Sequence, residues 1–293
     1  MQTPIPTIGC DFSSSPSHRK PIVFALGSAS KGRVVLSLLE RVSSLDGFSD
    51  WLNQHPDWVG GFDLPFGLPR ELVHTLGWPT DWQACMRHYA ALSREQIRTH
   101  FKAFCDARPA GGKFAHRATD GPAGSSPSMK WVNPPVAYML HAGLPRLLDA
   151  GVCMPRLHAG HPQPHTRTHM PSSHIASSQA RRVALEAYPG LLAREILGLR
   201  SYKSDDKAKQ TPERLIARKD LITALENGQT RLQLRLKLSN AQRETLIDDA
   251  SGDSLDAALC MLQAAWAQAR LEAGDMHYGL PDCDPLEGWI VTA

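Results

Sequence analysis

Short apolar runs separated by polar turns fill the first sixty residues. TIGCDF (7–12), KPIVFAL (20–26) and RVVLSLL (33–39) are divided by SSSPSHRK and SASKG. Runs this close together must be hairpin neighbours, which predicts antiparallel strands over Thr7–Phe12, Lys20–Leu26 and Arg33–Leu39. GFSDWLNQH (47–55) reads as a helix and WVGGFD (58–63) as a fourth strand. A helix at that point lets the fourth strand return parallel to the first. Residues 65–150 then read mostly as helix and loop, with Trp78 and Trp82 suited to core packing and a helix over Val136–Leu148. ARRVALEA (180–187) predicts a fifth strand, and YPG opens a helix near Leu191. Helices over Thr211–Glu226, with Pro212 in the first turn, Asn240–Ala250 and Asp253–Glu272 complete the pattern. The expectation is an α/β fold: a mixed five-stranded sheet, three antiparallel strands then parallel ones, flanked by helices. It forms one domain over residues 1–293, with a helical and loop insertion over about 65–178.

Composition changes this picture little. At 42% hydrophobic and 21% charged residues, the chain has enough apolar matter for a full core. The net charge of +3 neither requires nor excludes a polyanionic partner. Its distribution is uneven: residues 181–237 carry thirteen Lys and Arg against seven acids, and residues 238–293 carry two against ten. That suits phosphates held near a metal site, and it equally suits solvated helix faces. No run is long enough to span a membrane, and the first residues lack the pattern of a secretory signal. Six scattered cysteines (10, 85, 105, 153, 260, 283) form no Cys-x-x-Cys pair and read as reduced thiols, so a cytoplasmic location is expected. The His/Pro-rich segment 157–174 reads as a loop without the helical His spacing of a built metal site.

Three predicted strands end in an acid: Asp11 in IGCDF, Asp63 in GGFDL and Glu186 in ALEAY. The last helix opens GDSLDAALC, placing Asp253 and Asp256 on one face of its first turn, beside an apolar stripe of Leu255, Leu259, Leu262 and Trp266. Each acid has an ordinary structural explanation; Asp253 and Asp256, for instance, suit a helix N-terminus. Together they suggest more. Converging carboxylates repel and raise one another's pKa unless a cation compensates. Oxygen donors favour Mg²⁺ or Mn²⁺ over zinc.

The strand and helix order resembles the ribonuclease H-like fold, and DSLDA resembles the closing motif of bacterial Holliday-junction resolvases. The stretches GFDLPFGLP, HRATD (116–120), ALEAYPGLL, SYK (201–203), GDSLDAALC and DPLEGWIVT are similar to domain-of-unknown-function family 429, described as predicted RNase H-like nucleases. The resemblance implies a metal-dependent phosphodiester hydrolase, a nuclease, acting on nucleic acid or a nucleotide phosphoester with two Mg²⁺ or Mn²⁺ ions. It implies metal ligands at Asp11, Asp63, Asp253 and Asp256, with Glu186 as a further catalytic acid that could instead orient Lys203 or Tyr188. Arg70, Arg117 and Lys203 are the expected phosphate contacts, although Arg117 could equally clamp Asp120. Two rival expectations stand beside this one. An ATP-dependent kinase of the actin-like or sugar-kinase type would share the core, with DFSSSPSHRK as a phosphate loop. A non-catalytic binding protein could retain the fold.

Overall fold

A computed structural model describes residues 5–160 and 182–293. Its centre is a mixed sheet of six strands, one more than the sequence pattern predicts. β1 (Thr7–Asp11), β2 (Ile22–Ser30) and β3 (Arg33–Val42) form an antiparallel meander. α1 (Leu45–Gln54) is capped by the Ser44 side chain, which accepts from the Gly47 N–H. It carries the chain over one face of the sheet to β4 (Trp58–Asp63), which returns parallel to β1. Phe24 of β2 stacks on Trp51 of α1 with ring centroids 3.8 Å apart, fixing that crossover.

Between β4 and β5 come α2 (Arg70–Thr75), α3 (Trp82–Ala91), α4 (Arg94–Asp106), the single turn α5 (Asp120–Ala123) and α6 (Val136–Asp149). They bury their apolar faces with α1 in one cluster that includes Ile8, Cys10 and Phe62. Trp78 and Trp82 belong to this core. β5 (Arg182–Glu186) pairs parallel to β4; residues 180 and 181 of the predicted strand lie outside the described residues. Most of the His/Pro-rich segment 157–174 lies outside the described residues.

The other face is covered by α7 (Pro189–Leu197), α8 (Pro212–Asn227), α9 (Asn240–Asp248) and α10 (Asp253–Glu272). The sixth strand, β6 (Arg235–Lys237), adds parallel to β3, so the order is β5-β4-β1-β2-β3-β6. Among the described residues no helix is long and apolar enough to cross a membrane.

The placing of α10 sets up the site. Period-2 alternation puts Ile8 and Cys10 on the α1 face, leaving Thr7, Gly9 and Asp11 on the α10 face. In β4 the same face carries Val59, Gly61 and Asp63, in register with them. A Cβ on Gly9 would stand 2.0 Å from the Ala257 carbonyl oxygen, and one on Gly61 would stand 2.4 Å from that of Cys260. The paired glycines therefore form a saddle on which the α10 backbone rests directly. Gln268, farther along α10, accepts from the Thr7 hydroxyl at 2.8 Å. The helix thus runs back along β1, and its first turn stands over the acid-bearing strand ends.

The predicted stripe on α10 packs with the sheet, but it is only part of the helix's buried surface. Fifteen of its twenty residues are buried, because the helix lies between the sheet and other helices rather than on a surface. Leu255, Leu259 and Leu262 share a cluster with Val23, Ala25, Val34 and Leu36 of the sheet and with Leu192, Leu221 and Ile222 of the helices, while Cys260 and Ala264 pack with Val59, Val183 and Leu185. The backbone of Ala257, Cys260 and Met261 meets the glycine saddle.

Candidate functional site

Asp11 and Asp63 are partners in the β1–β4 register. Directly opposed residues of neighbouring strands point the same way across an inter-strand gap of about 4.8 Å, so two carboxylates are held side by side. α10 adds Asp256, and each of the three acids offers an oxygen within 4.8 Å of the others. Asp11 is 8% exposed and Asp256 is fully buried. Among the described residues, no hydrogen bond or ion pair reaches the Asp11 or the Asp63 carboxylate. Like charges set opposite each other destabilise a sheet, and the charge of Lys203 offsets this cost only in part.

The acid–base properties follow. Burial, then the charges of Asp256 and Asp253, holds the Asp11 carboxyl well above the usual carboxylate range. Burial pushes Asp63 up to about 7, with Lys203 opposing the rise. Asp256 is also raised by burial, and its own partners oppose this more directly. It accepts hydrogen bonds from the Tyr202 hydroxyl and the Lys203 ammonium. The charge of Asp256 holds the Lys203 ammonium in its protonated form against burial.

The SYK loop is locked in place to make those contacts. The buried Arg218 donates to the Tyr202 carbonyl at 2.8 Å and to the Ile247 carbonyl at 2.6 Å. Arg214 donates to the Lys203 carbonyl. Two arginines of α8 therefore fix a loop backbone whose side chains steady one acid of the three. Lys203, expected as a phosphate contact, is paired here with Asp256. Tyr202 was missed, although it precedes Lys203 in the same tripeptide.

The other expected residues are placed differently. Asp253 stands outside the triad. Its carboxylate accepts from Lys20 at 2.7 Å, and Lys20 also reaches Asp205 at 2.7 Å. Lys20 belongs to the turn before β2, and only the long-range fold brings it here. Glu186 is turned toward Arg117, which donates to both its oxygens at 2.6 and 2.9 Å, and it also accepts from the Phe66 N–H at 2.9 Å. It therefore orients neither Lys203 nor Tyr188. Arg117 takes the structural alternative. Its side chain is 2% exposed and lies between Glu186 and Asp120, donating also to the Glu287 carbonyl. A guanidinium buried there cannot meet a phosphate. Arg70 is exposed and paired with Asp284, while its N–H donates to Glu287 at 2.9 Å. Arg70 and Arg117 thus tie the 65–120 region to the C-terminal loop.

Three oxygen donors, two without a hydrogen-bond donor or directly paired cation among the described residues, suit a hard divalent cation. No zinc-type sulfur or imidazole ligand joins the group among the described residues. No family model, no curated protein and no solved structure matches the chain.

Proposed function

We propose that the protein is a metal-dependent phosphodiester hydrolase on a ribonuclease H-like core, acting on nucleic acid or a nucleotide phosphoester. The observation that carries the reading is the pair Asp11 and Asp63: buried or half-buried, in register, and without a direct hydrogen bond or ion pair among the described residues, with Asp256 completing an oxygen triad. A fold keeps such a cost where a bound cation repays it in function. The topology supports the same reading, since three antiparallel strands, a crossover helix and two strands parallel to the first are the order of that core.

Asp11, Asp63 and Asp256 would hold Mg²⁺ or Mn²⁺. Bound there, a divalent cation supplies an activated water and neutralises charge on a phosphoryl oxygen. The chain's own groups have separable tasks. The raised carboxyls of Asp11 and Asp63 favour the protonated form, so cation binding at the triad competes with protons. Tyr202 and Lys203 hold Asp256 in one orientation. The Lys203 side chain is 41% exposed, so it can also offer its charge to a phosphoryl oxygen arriving from solvent. Asp253 is the reserve acid for a second ion, available once Lys20 lets go of it.

The test is Mn²⁺-dependent cleavage of single-stranded, duplex, hybrid and branched substrates by wild type and Asp11→Asn. Cleavage that disappears in the variant is expected. Cleavage that survives it places the chemistry elsewhere, and ATP turnover without cleavage favours the kinase class.

A further inference from the structure

A cleft of about 320 Å³ opens beside the triad, and Asp63, Tyr188, Arg194, Arg200 and Lys203 contribute to its lining. Three cations and one acid line it, yet two of those cations are already neutralised. Arg200 pairs with Asp220 at 2.7 Å, and Lys203 pairs with Asp256. Arg194 has no carboxylate at ion-pair distance among the described residues; its polar contact is with the Tyr188 hydroxyl, to which it donates at 3.0 Å.

Arg194 is nevertheless held. Its guanidinium lies over the Tyr188 ring, 5.7 Å from the centroid. One of its terminal nitrogens fills the space beside Gly124, only 1.9 Å from where a Cβ would stand. Gly124 ends α5 with φ +60, in the left-handed region that favours glycine. A tyrosine hydroxyl and a glycine notch, contributed by different parts of the chain, thus steady an exposed guanidinium that lacks an anion. A planar fork of donors with its charge uncompensated matches the oxygens of a phosphate. The volume is at the scale of a small-ligand site.

We propose that Arg194, seated by Tyr188 and Gly124, binds a phosphate flanking the one presented to the acid triad. The substrate is then a phosphodiester-linked nucleic-acid strand, not a mononucleotide or an isolated diester. This rests on the hydrolase reading for the scissile phosphate, whereas the Arg194 site can be tested without turnover.

Binding of fluorescein-labelled thymidine and uridine decanucleotides is followed by anisotropy in Ca²⁺ over a series of salt concentrations. Arg194→Ala should weaken binding about tenfold. It should also make the slope of log K against log salt shallower by about 0.7, the value for one contact to a single-strand phosphate. Arg194→Lys should recover part of the affinity, Tyr188→Phe should fall between wild type and Arg194→Ala, and the charge-matched Arg98→Ala, on α4 and outside this cleft, should match wild type. The DNA and RNA decamers distinguish the two sources of the phosphate. Wild-type protein that binds neither decamer overturns the proposal, as does Arg194→Ala with unchanged affinity and salt slope. Binding that depends on Arg194 without any Mn²⁺-dependent cleavage overturns the hydrolase reading instead, and leaves the phosphate site standing.

Discussion

Asp63→Asn isolates the energetic cost of the acid cluster. Burial pushes the Asp63 carboxyl up to about 7, against roughly 3.9 in an unfolded chain. Between these values the folded protein keeps a proton that the unfolded chain has released. The contribution to stability is therefore most favourable below about pH 4 and is lost as the pH rises through about 7. A difference of about three pH units corresponds to a nominal ~4 kcal/mol. Asp63 is half-buried, and solvent screening reduces the realised cost to about 1–3 kcal/mol. Asparagine keeps the shape and cannot ionise. At pH 8 in EDTA, Asp63→Asn should thus be more stable than wild type by about 1–3 kcal/mol. That is about 2–6 °C in Tm at roughly 2 °C per kcal/mol for a chain of this size. Its stability should also fall less than that of wild type between pH 5 and 8. Mn²⁺ at a hundred times its Kd should stabilise wild type by about 2.7 kcal/mol and the variant far less. Thermal and urea unfolding across pH, with and without Mn²⁺, read all three effects. A variant less stable at pH 8 that keeps the wild-type pH slope would refute the argument.

Three further changes probe the frame around the site. Arg117→Met strands Glu186 and Asp120 as buried charges and should cost about 3–5 kcal/mol in urea unfolding. Gly61→Ala drives a methyl into the Cys260 carbonyl; we expect a loss of about 3 kcal/mol together with weaker Mn²⁺ stabilisation, because α10 carries Asp256. Lys203→Met removes the cation from Asp256, so the metal-free protein should lose stability while the increment on adding Mn²⁺ grows, seen by thermal shift in EDTA and in Mn²⁺.

The strands were legible because their apolar runs are short and their turns are polar, and the acids were legible because they end those runs. The crossover helix makes β4 parallel to β1, while the register that makes Asp11 and Asp63 neighbours is seen only in the fold. β6 was missed although LQLRLKL alternates with period two, because only three of its residues pair and they do so at the sheet edge. The α10 stripe does pack with the sheet, but its pattern could not show that the helix is buried on nearly all sides. The partners of the acids were least legible. Lys20 meets Asp253 across 233 positions of sequence and Arg117 meets Glu186 across 69. No local pattern records pairings set by tertiary packing, and for that reason Arg117 and Glu186 looked like site residues when they are a structural clamp.

The central claim is that Asp11, Asp63 and Asp256 form a divalent-cation site. Its most direct test is a crystal of the full chain soaked in Mn²⁺, with anomalous scattering measured at the manganese edge. A peak coordinated by oxygens of all three aspartates is the predicted result. Three well-ordered aspartates with no anomalous peak between them would contradict it.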